Sequence, residues 1–250
     1  WLLMELLAAN NKPFAIWTDM PNVTRKRSPV KAQLRSRYLA RLFRQANYVM
    51  GTGTAALDIL VDMDCPVDKL VNFPYFVDIE PSVPGYTHLF DSGSSTCLKL
   101  VSVGRFVNSL KAHDQAIKAI SLVRDRMKSF DIQYLLVGAG EDQTKLLELI
   151  SQFELQDCVK VVGWLEPHDV RQLLAASDIL LHPSLQEPYG VAILEAMAES
   201  AAVIASDACG AALDRIQNYQ NGCIFEAGNV EALAQQIEYL ATHRDRMAAI

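Results

Sequence analysis

The sequence lacks what disulfide frameworks and metal centres are built from. Its five cysteines (Cys65, Cys97, Cys158, Cys209, Cys223) are odd in number, and none sits in a CxxC or histidine-paired spacing. That usage fits reduced thiols and excludes a small disulfide-stapled fold. Excess basic charge is lacking too: 23 Lys and Arg stand against 29 Asp and Glu, a formal net charge of -6. A protein whose affinity comes from overall neutralisation of nucleic-acid phosphates is thereby excluded. No apolar run approaches the roughly 20 residues of a membrane-spanning helix. The opening WLLMELLAANN is too short, lacks an initiator Met, a basic leader and a cleavage site, and reads as the tail of a helix whose beginning is missing. The expected setting is the cytoplasm.

Half of the 250 residues are hydrophobic, enough for one sizeable core or two modest ones. From about residue 98 onward, β-rich apolar runs alternate with helical periodicity: CLKLVSVG, 111–128, YLLVG, 141–152, VKVVGW, 167–175, DILLHPS, 190–199, AAVIAS, 211–217, GCIFEA and 229–241. Such alternation is the mark of βαβ units and a parallel sheet. Ala116, Ile120, Val123 and Met127 share one helix face, as do Val230, Leu233, Ile237 and Leu240 behind Asn229 as N-cap.

Residues 1–75 repeat the pattern in shorter form. Strands are expected at PFAIWTD, NYVMGTG and KLVNFPY, with helices across 29–45 and about 53–62. Residues 76–97 are rich in Pro, Gly and Ser, lack periodicity and read as a linker. The expected organisation is a partial Rossmann-like unit at 1–75, that linker, and a second Rossmann-like unit at 98–250.

One stretch carries chemistry. In LHPSLQEPYGVAILEAMAES, Glu187 and Glu195 flank a Pro-Tyr-Gly turn eight positions apart. A strand ending at Ser184 and a helix beginning near Gly190 put the intervening loop at the carboxyl edge of a parallel sheet, where open α/β sheets bind ligands. Helix N-termini favour anions there. Glu187 is then expected to face the crevice, with Glu195 reaching it from the first turns of the helix. For an arbitrary pair of carboxylates, solvated surface positions are the commoner outcome; the apolar positions around these two weigh against it.

The ordered blocks VGRFVNSLKAHDQAIKAI, YLLVGAGED, VKVVGWLEPHDVRQLLAASDILLHPSLQEPYGVAILEAMAES, VIASDACGAALDRI and NGCIFEAGNVEALA resemble the carboxyl-terminal domain of glycosyltransferase family 4, retaining enzymes of the GT-B fold. The likeness covers about 98–245 and rests on several blocks in order, which is more specific than any one motif. The resemblance implies a fold of two Rossmann-like domains, the first incomplete here. It implies that Glu187 contacts hydroxyls of a donor sugar and Glu195 the ribose hydroxyls of a nucleotide. Backbone amides of Tyr189 and Gly190, beside Ser184, would help hold a diphosphate, and Arg105 and Lys111 would neutralise it as it leaves. Gly138 would allow close backbone approach, as would Gly140, and Trp164, Leu165 and Glu166 would hold the base through main-chain contacts. In the family the lysine follows the arginine by five positions; here Leu110 fills that slot and Lys111 comes sixth. Asp214 stands where a Glu is often found.

The implied activity is transfer of a sugar from a nucleotide-diphosphate sugar to a glycan or lipid-linked acceptor, with no cofactor and no metal. Two alternatives remain: a non-catalytic nucleotide-sugar-binding module, for which the apparent fragment argues, and a GT-B epimerase or phosphorylase, against which EAMAES argues. GTGTAA at 51–56 mimics a dinucleotide fingerprint but lacks a strand-ending acid about twenty positions on. DMD at 62–64 mimics a metal motif but continues a helical pattern. Residues 25–44 hold eight basic side chains and no acid, interleaved with Leu34, Tyr38, Leu42 and Phe43. Such a helix can lie on an anionic membrane surface, making a peripheral site at the inner face of the membrane one expectation. The sequon Asn22-Val23-Thr24 is discounted in a cytoplasmic setting.

Overall fold

The computed structural model describes residues 2–20, 28–80, 82–90, 97–128 and 130–244. Arg25, Lys26, Arg27 and the sequon lie outside them. The chain divides into two compact units, Trp1–Tyr75 and Phe76–Ile250.

The first unit runs α1 (Leu2–Ala9), β1 (Ala15–Thr18), α2 (Pro29–Gln45), β2 (Tyr48–Gly51), α3 (Thr54–Asp62) and β3 (Leu70–Asn72). The three strands form a parallel sheet in the order β1-β2-β3. Pro29 opens α2, where its missing N–H costs nothing and its fixed φ suits a first turn. Leu39, Leu42 and Phe43 of α2 pack with Val49 and Leu60 in the unit's core. Leu42 and Phe43 are therefore not part of an outward apolar stripe, which corrects one element of the membrane-surface reading. Leu34 is exposed. Among the described residues, no helix is long and apolar enough to cross a membrane. GTGTAA turns from β2 into α3 through Gly53, and the DMD sequence closes α3.

The second unit holds six strands: β4 (Leu98–Val103), β5 (Ile132–Val137), β6 (Val159–Gly163), β7 (Ile179–His182), β8 (Ala202–Ser206) and β9 (Cys223–Phe225). Between and after them run α4 (Asn108–Lys111), α5 (His113–Arg126), α6 (Gln143–Gln152), α7 (Pro167–Ala175), α8 (Val191–Ala198), α9 (Gly210–Arg215) and α10 (Val230–Thr242). All strand pairs are parallel, in the order β6-β5-β4-β7-β8-β9. β5, β7 and β8 are buried along their whole length, as expected of strands covered on both faces. Asn229 caps α10 by accepting the Ala232 N–H at 2.9 Å.

The 111–128 helix is interrupted. Ala112 takes a left-handed conformation (φ 52°) and separates the short α4 from α5. Strand order reverses direction between β4 and β7, the switch point at which open α/β sheets form a crevice. β4 and β7 pair only at Leu100 with Ile179 and Val101 with Leu180, although β4 runs on to Val103 and β7 to His182. Beyond the pairing, the buried Ser102 hydroxyl donates to the Leu181 carbonyl at 2.5 Å and accepts from Tyr134 at 2.8 Å.

Residues 76–90, read from sequence as linker, are tied to the second unit. The Glu199 carboxylate accepts from the Ser82 N–H at 2.7 Å and its hydroxyl at 2.9 Å, and pairs with Arg171. Arg171 also donates to the Glu80 carbonyl, and the Gly85 N–H to Gln172. The Glu199 side chain is fully enclosed. Removing one partner of a buried ion pair leaves an uncompensated charge, so Arg171→Ala is expected to cost about 3 kcal/mol and to speed amide exchange at residues 82–85. Urea denaturation checks this, and a loss below about 1 kcal/mol, typical of an exposed pair, would contradict it.

Candidate active site

Two loops at the carboxyl edge of β4 and β7 build the site. The first leaves β4 through Gly104 and Arg105. It is fixed against the loop after β5: the Gly104 N–H donates to Val137 and the Phe106 N–H to Ala139, each at 3.0 Å. The approach is so close that a Cβ on Gly138 (φ 146°) would lie 1.9 Å from the Gly104 carbonyl oxygen. Only glycine fits. Val103, Arg105, Gly138, Trp164, Leu165 and Val170 help line a cavity of about 240 Å³ at this edge. Another hollow, about 550 Å³ and lined by Asp142, Lys145 and Glu148, shares none of the candidate residues.

The second loop follows β7. Leu185 and Gln186 donate their N–H groups to the Leu110 carbonyl, and Glu187 donates to Ala208. Gly210 and Ala211 return N–H bonds to Glu187 and Tyr189. Tyr189 is buried, with its ring beside Gly210 at the start of α9. Gly190 (φ 96°) turns the chain into α8; a Cβ there would meet Glu187 Cγ at 3.2 Å and His182 Nε2 at 3.3 Å.

Lys111, Ser184 and Glu187 meet. Lys111 Nζ is ion-paired with Glu187 Oε2, and the Ser184 hydroxyl lies 3.5 Å from the same oxygen. The sixth-place lysine reaches Glu187 from the last residue of α4, which the left-handed Ala112 ends. His182, at the end of β7, completes the group with Nε2 3.1 Å from Glu187 Oε2. Sequence reasoning passed over this histidine. Its signal was a polar residue closing an otherwise apolar strand, DILLH.

Charge is strongly tuned here. Burial pushes the Glu187 carboxyl up, but His182 and Lys111 outweigh it and hold the group down at about 2. Burial pulls His182 down, while the Cys209 side chain and Glu187 raise it to about 9. Stability from the Glu187 ionisation is present above the ordinary carboxylate range and lost as pH falls through about 2. That from His182 is present below 6.5 and lost as pH rises through about 9.

A second buried histidine lies behind Lys111. His113 is stacked edge-on against Phe106 at 5.4 Å, and neither ring nitrogen has a hydrogen-bond partner of sound geometry among the described residues. Burial, then the charges of His182 and Lys111, hold its imidazole neutral, at about 3, against a smaller upward pull from the Arg105 backbone.

Glu195 joins neither the cavity lining nor the Glu187 group. It lies half-buried on α8, where burial raises its carboxyl, Arg171 lowers it and Glu199 raises it further. The five cysteines are free.

A family model described as "Glycosyl transferases group 1" matches residues 90–250. Among curated proteins, the amylovoran biosynthesis glycosyltransferase AmsK of Erwinia amylovora is 28% identical over 200 residues, covering 78% of this chain and 47% of that protein. The lipopolysaccharide core biosynthesis glycosyltransferase LpsE of Rhizobium meliloti is 28% identical over 141 residues, covering 56% and 38%. The chain spans about half the length of the curated relatives that it matches along most of itself. Among solved structures, Anabaena Alr3699/HepE in complex with UDP superposes with a TM-score of 0.84 at 21% identity, covering 99% of this chain and 68% of that one. Sucrose-phosphate synthase from Thermosynechococcus elongatus gives 0.81 at 19%, covering 100% and 63%. These likenesses place the α/β fold in the GT-B class.

The neutral His113 generates a pH prediction. Its unfolded form takes up a proton below about pH 6.5 and its folded form does not until about 3, so stability falls with pH across that window. By pH 5 this single group is expected to remove on the order of 2 kcal/mol. Chemical denaturation of His113→Met, which cannot titrate, should show less than half of the wild-type loss. Parallel acid profiles in the two proteins would contradict the assignment.

Proposed function

The chain belongs to the glycosyl transferases group 1, and on that premise we propose that the whole protein is a retaining transferase of family 4. It moves a sugar from a nucleotide-diphosphate sugar to a hydroxyl of a glycan or lipid-linked acceptor. Donor binding is the part assigned to this stretch of chain, by its second unit. The observation that carries the reading is the meeting of Lys111, His182 and Glu187 at the switch point of the second sheet.

Breaking a sugar–phosphate bond leaves growing negative charge on the phosphate, and cations already in place lower that barrier. Arg105 and Lys111 are assigned that task, with no metal required. A protonated His182 beside them leaves the cluster net positive even with Glu187 ionised, which suits an anionic diphosphate. Glu187, held by three donors on one oxygen, is assigned to orient the donor sugar. So tethered a carboxylate is a poor nucleophile, which supports attack by the acceptor on the face that the diphosphate leaves. The cavity beside Gly138, Trp164 and Leu165 is assigned to the base, Glu195 to the ribose, and Ser184 and the backbone at Tyr189 and Gly190 to the diphosphate. AmsK, named for amylovoran biosynthesis, supports a glycan acceptor. Exposed Lys31, Arg35, Arg37, Arg41 and Arg44, on a helix without acids, support an anionic membrane surface as a further partner.

Calorimetric titration of UDP-, GDP- and ADP-sugars into the chain and into Glu195→Ala tests the reading. One nucleotide class is expected to bind, at least tenfold more weakly in the variant. A folded chain that binds none, or a variant that binds as well as wild type, would overturn it.

A further inference from the structure

The donors around Glu187 are distributed unevenly. Lys111 Nζ, His182 Nε2 and Ser184 Oγ all converge on Oε2. Of the three, Lys111 is a flexible ammonium on a short helix, and its charge is the one a diphosphate would attract. Ser184 is at the limit of hydrogen-bond distance, 3.5 Å. His182 differs from both. It is 3% exposed, it sits on the last residue of a central strand paired through Ala205, and the absent Cβ of Gly190 leaves just enough room for its ring.

We propose that His182 is the positioning residue of the donor site: it keeps the Glu187 carboxylate anchored through Oε2, with Oε1 presented to sugar hydroxyls, when Lys111 turns from Glu187 to the diphosphate. The proposal rests on the donor-site reading above. Without His182, drawing Lys111 away would leave a buried carboxylate held by one long serine contact, which burial penalises. With it, the loss of one cation is taken up by the other, and the carboxylate stays ionised and fixed. The groups at the ring are Glu187 from its own loop, Cys209 from the turn before α9 and His113 from α5, with Lys111 from α4 and Ser184 reaching the same Glu187 oxygen. Only Glu187 and Cys209 can favour its charged form; Lys111 and a charged His113 would oppose it.

Two measurements test this separately from the parent reading. The first compares the affinity of UDP-glucose with that of UDP, and likewise GDP-mannose with GDP and ADP-glucose with ADP, in wild type, His182→Gln and His182→Leu. In His182→Leu the advantage of the sugar nucleotide over the bare nucleotide is expected to fall by tenfold or more. Affinity for the bare nucleotide should fall by less than that of the sugar nucleotide, because both lose the His182 charge and only the sugar nucleotide also loses the anchored Glu187; His182→Gln, which keeps an N–H, should recover part of the advantage. A general loss of structure would weaken both ligands equally. Equal weakening, or an undiminished sugar advantage in a folded His182→Leu, overturns the proposal.

The second needs no ligand: ¹⁵N resonances of the histidine rings from pH 6 to pH 10. The His182 ring is expected to remain doubly protonated at pH 7.5 in wild type and to lose that state in Glu187→Gln. A neutral His182 in wild type at pH 7.5 overturns the proposal by itself. Failure of every nucleotide to bind, with the imidazolium present, overturns the donor-site reading instead.

Discussion

The parting of β4 from β7 is the constraint on which the site depends. Their ladder stops at Val101 and Leu180, yet both strands continue, so their carboxyl ends open into a crevice. Where a ladder stops short, backbone groups need local partners. Ser102 does part of this by donating to the Leu181 carbonyl, with Tyr134 behind it.

From that split the side chains follow. Gly104 lies against Gly138, and this contact fixes the backbone that carries Arg105. The Leu110 carbonyl accepts from Leu185 and Gln186, so the turn bearing Lys111 and the loop bearing Glu187 are positioned as one piece. Lys111, Glu187 and His182 then form a charged group in a largely buried place, where His182 and Lys111 lower the Glu187 carboxyl and Glu187 helps to raise His182. Strongly shifted titrating groups gathered at a sheet's switch point fit a binding site.

Much of this was legible in the sequence and some was not. The bounds of α2, 29–45, follow from Pro29 at its start and the apolar spacing of Leu39, Leu42 and Phe43. The alternation after residue 98 announces a parallel sheet because strands and helices differ in period and parallel strands are apolar throughout. The break at Ala112 was not legible: alanine is the best helix former, and the left-handed residue there accompanies a Leu110 carbonyl that accepts from another loop, 75 residues on. His182 and His113 escaped notice for a related reason. A lone histidine at a strand end or in a first helical turn carries no spacing signal, and the worth of His182 depends on Glu187, 5 positions on, and on Lys111, 76 positions from Glu187, which only the fold brings together. Residues 76–90 look like a linker because Pro and Gly mark loops, whereas the Arg171–Glu199 anchor lies about a hundred residues on.

The central claim is that a nucleotide diphosphate occupies the crevice between β4 and β7. It is tested most directly by mapping backbone amide NMR shifts as UDP, GDP and ADP are each added to the isotopically labelled chain. The account predicts, for the nucleotide that binds, shifts concentrated at residues 104–106, 138–140 and 187–193. Shifts confined to residues 2–75, or spread evenly over the surface of the second unit, would contradict it.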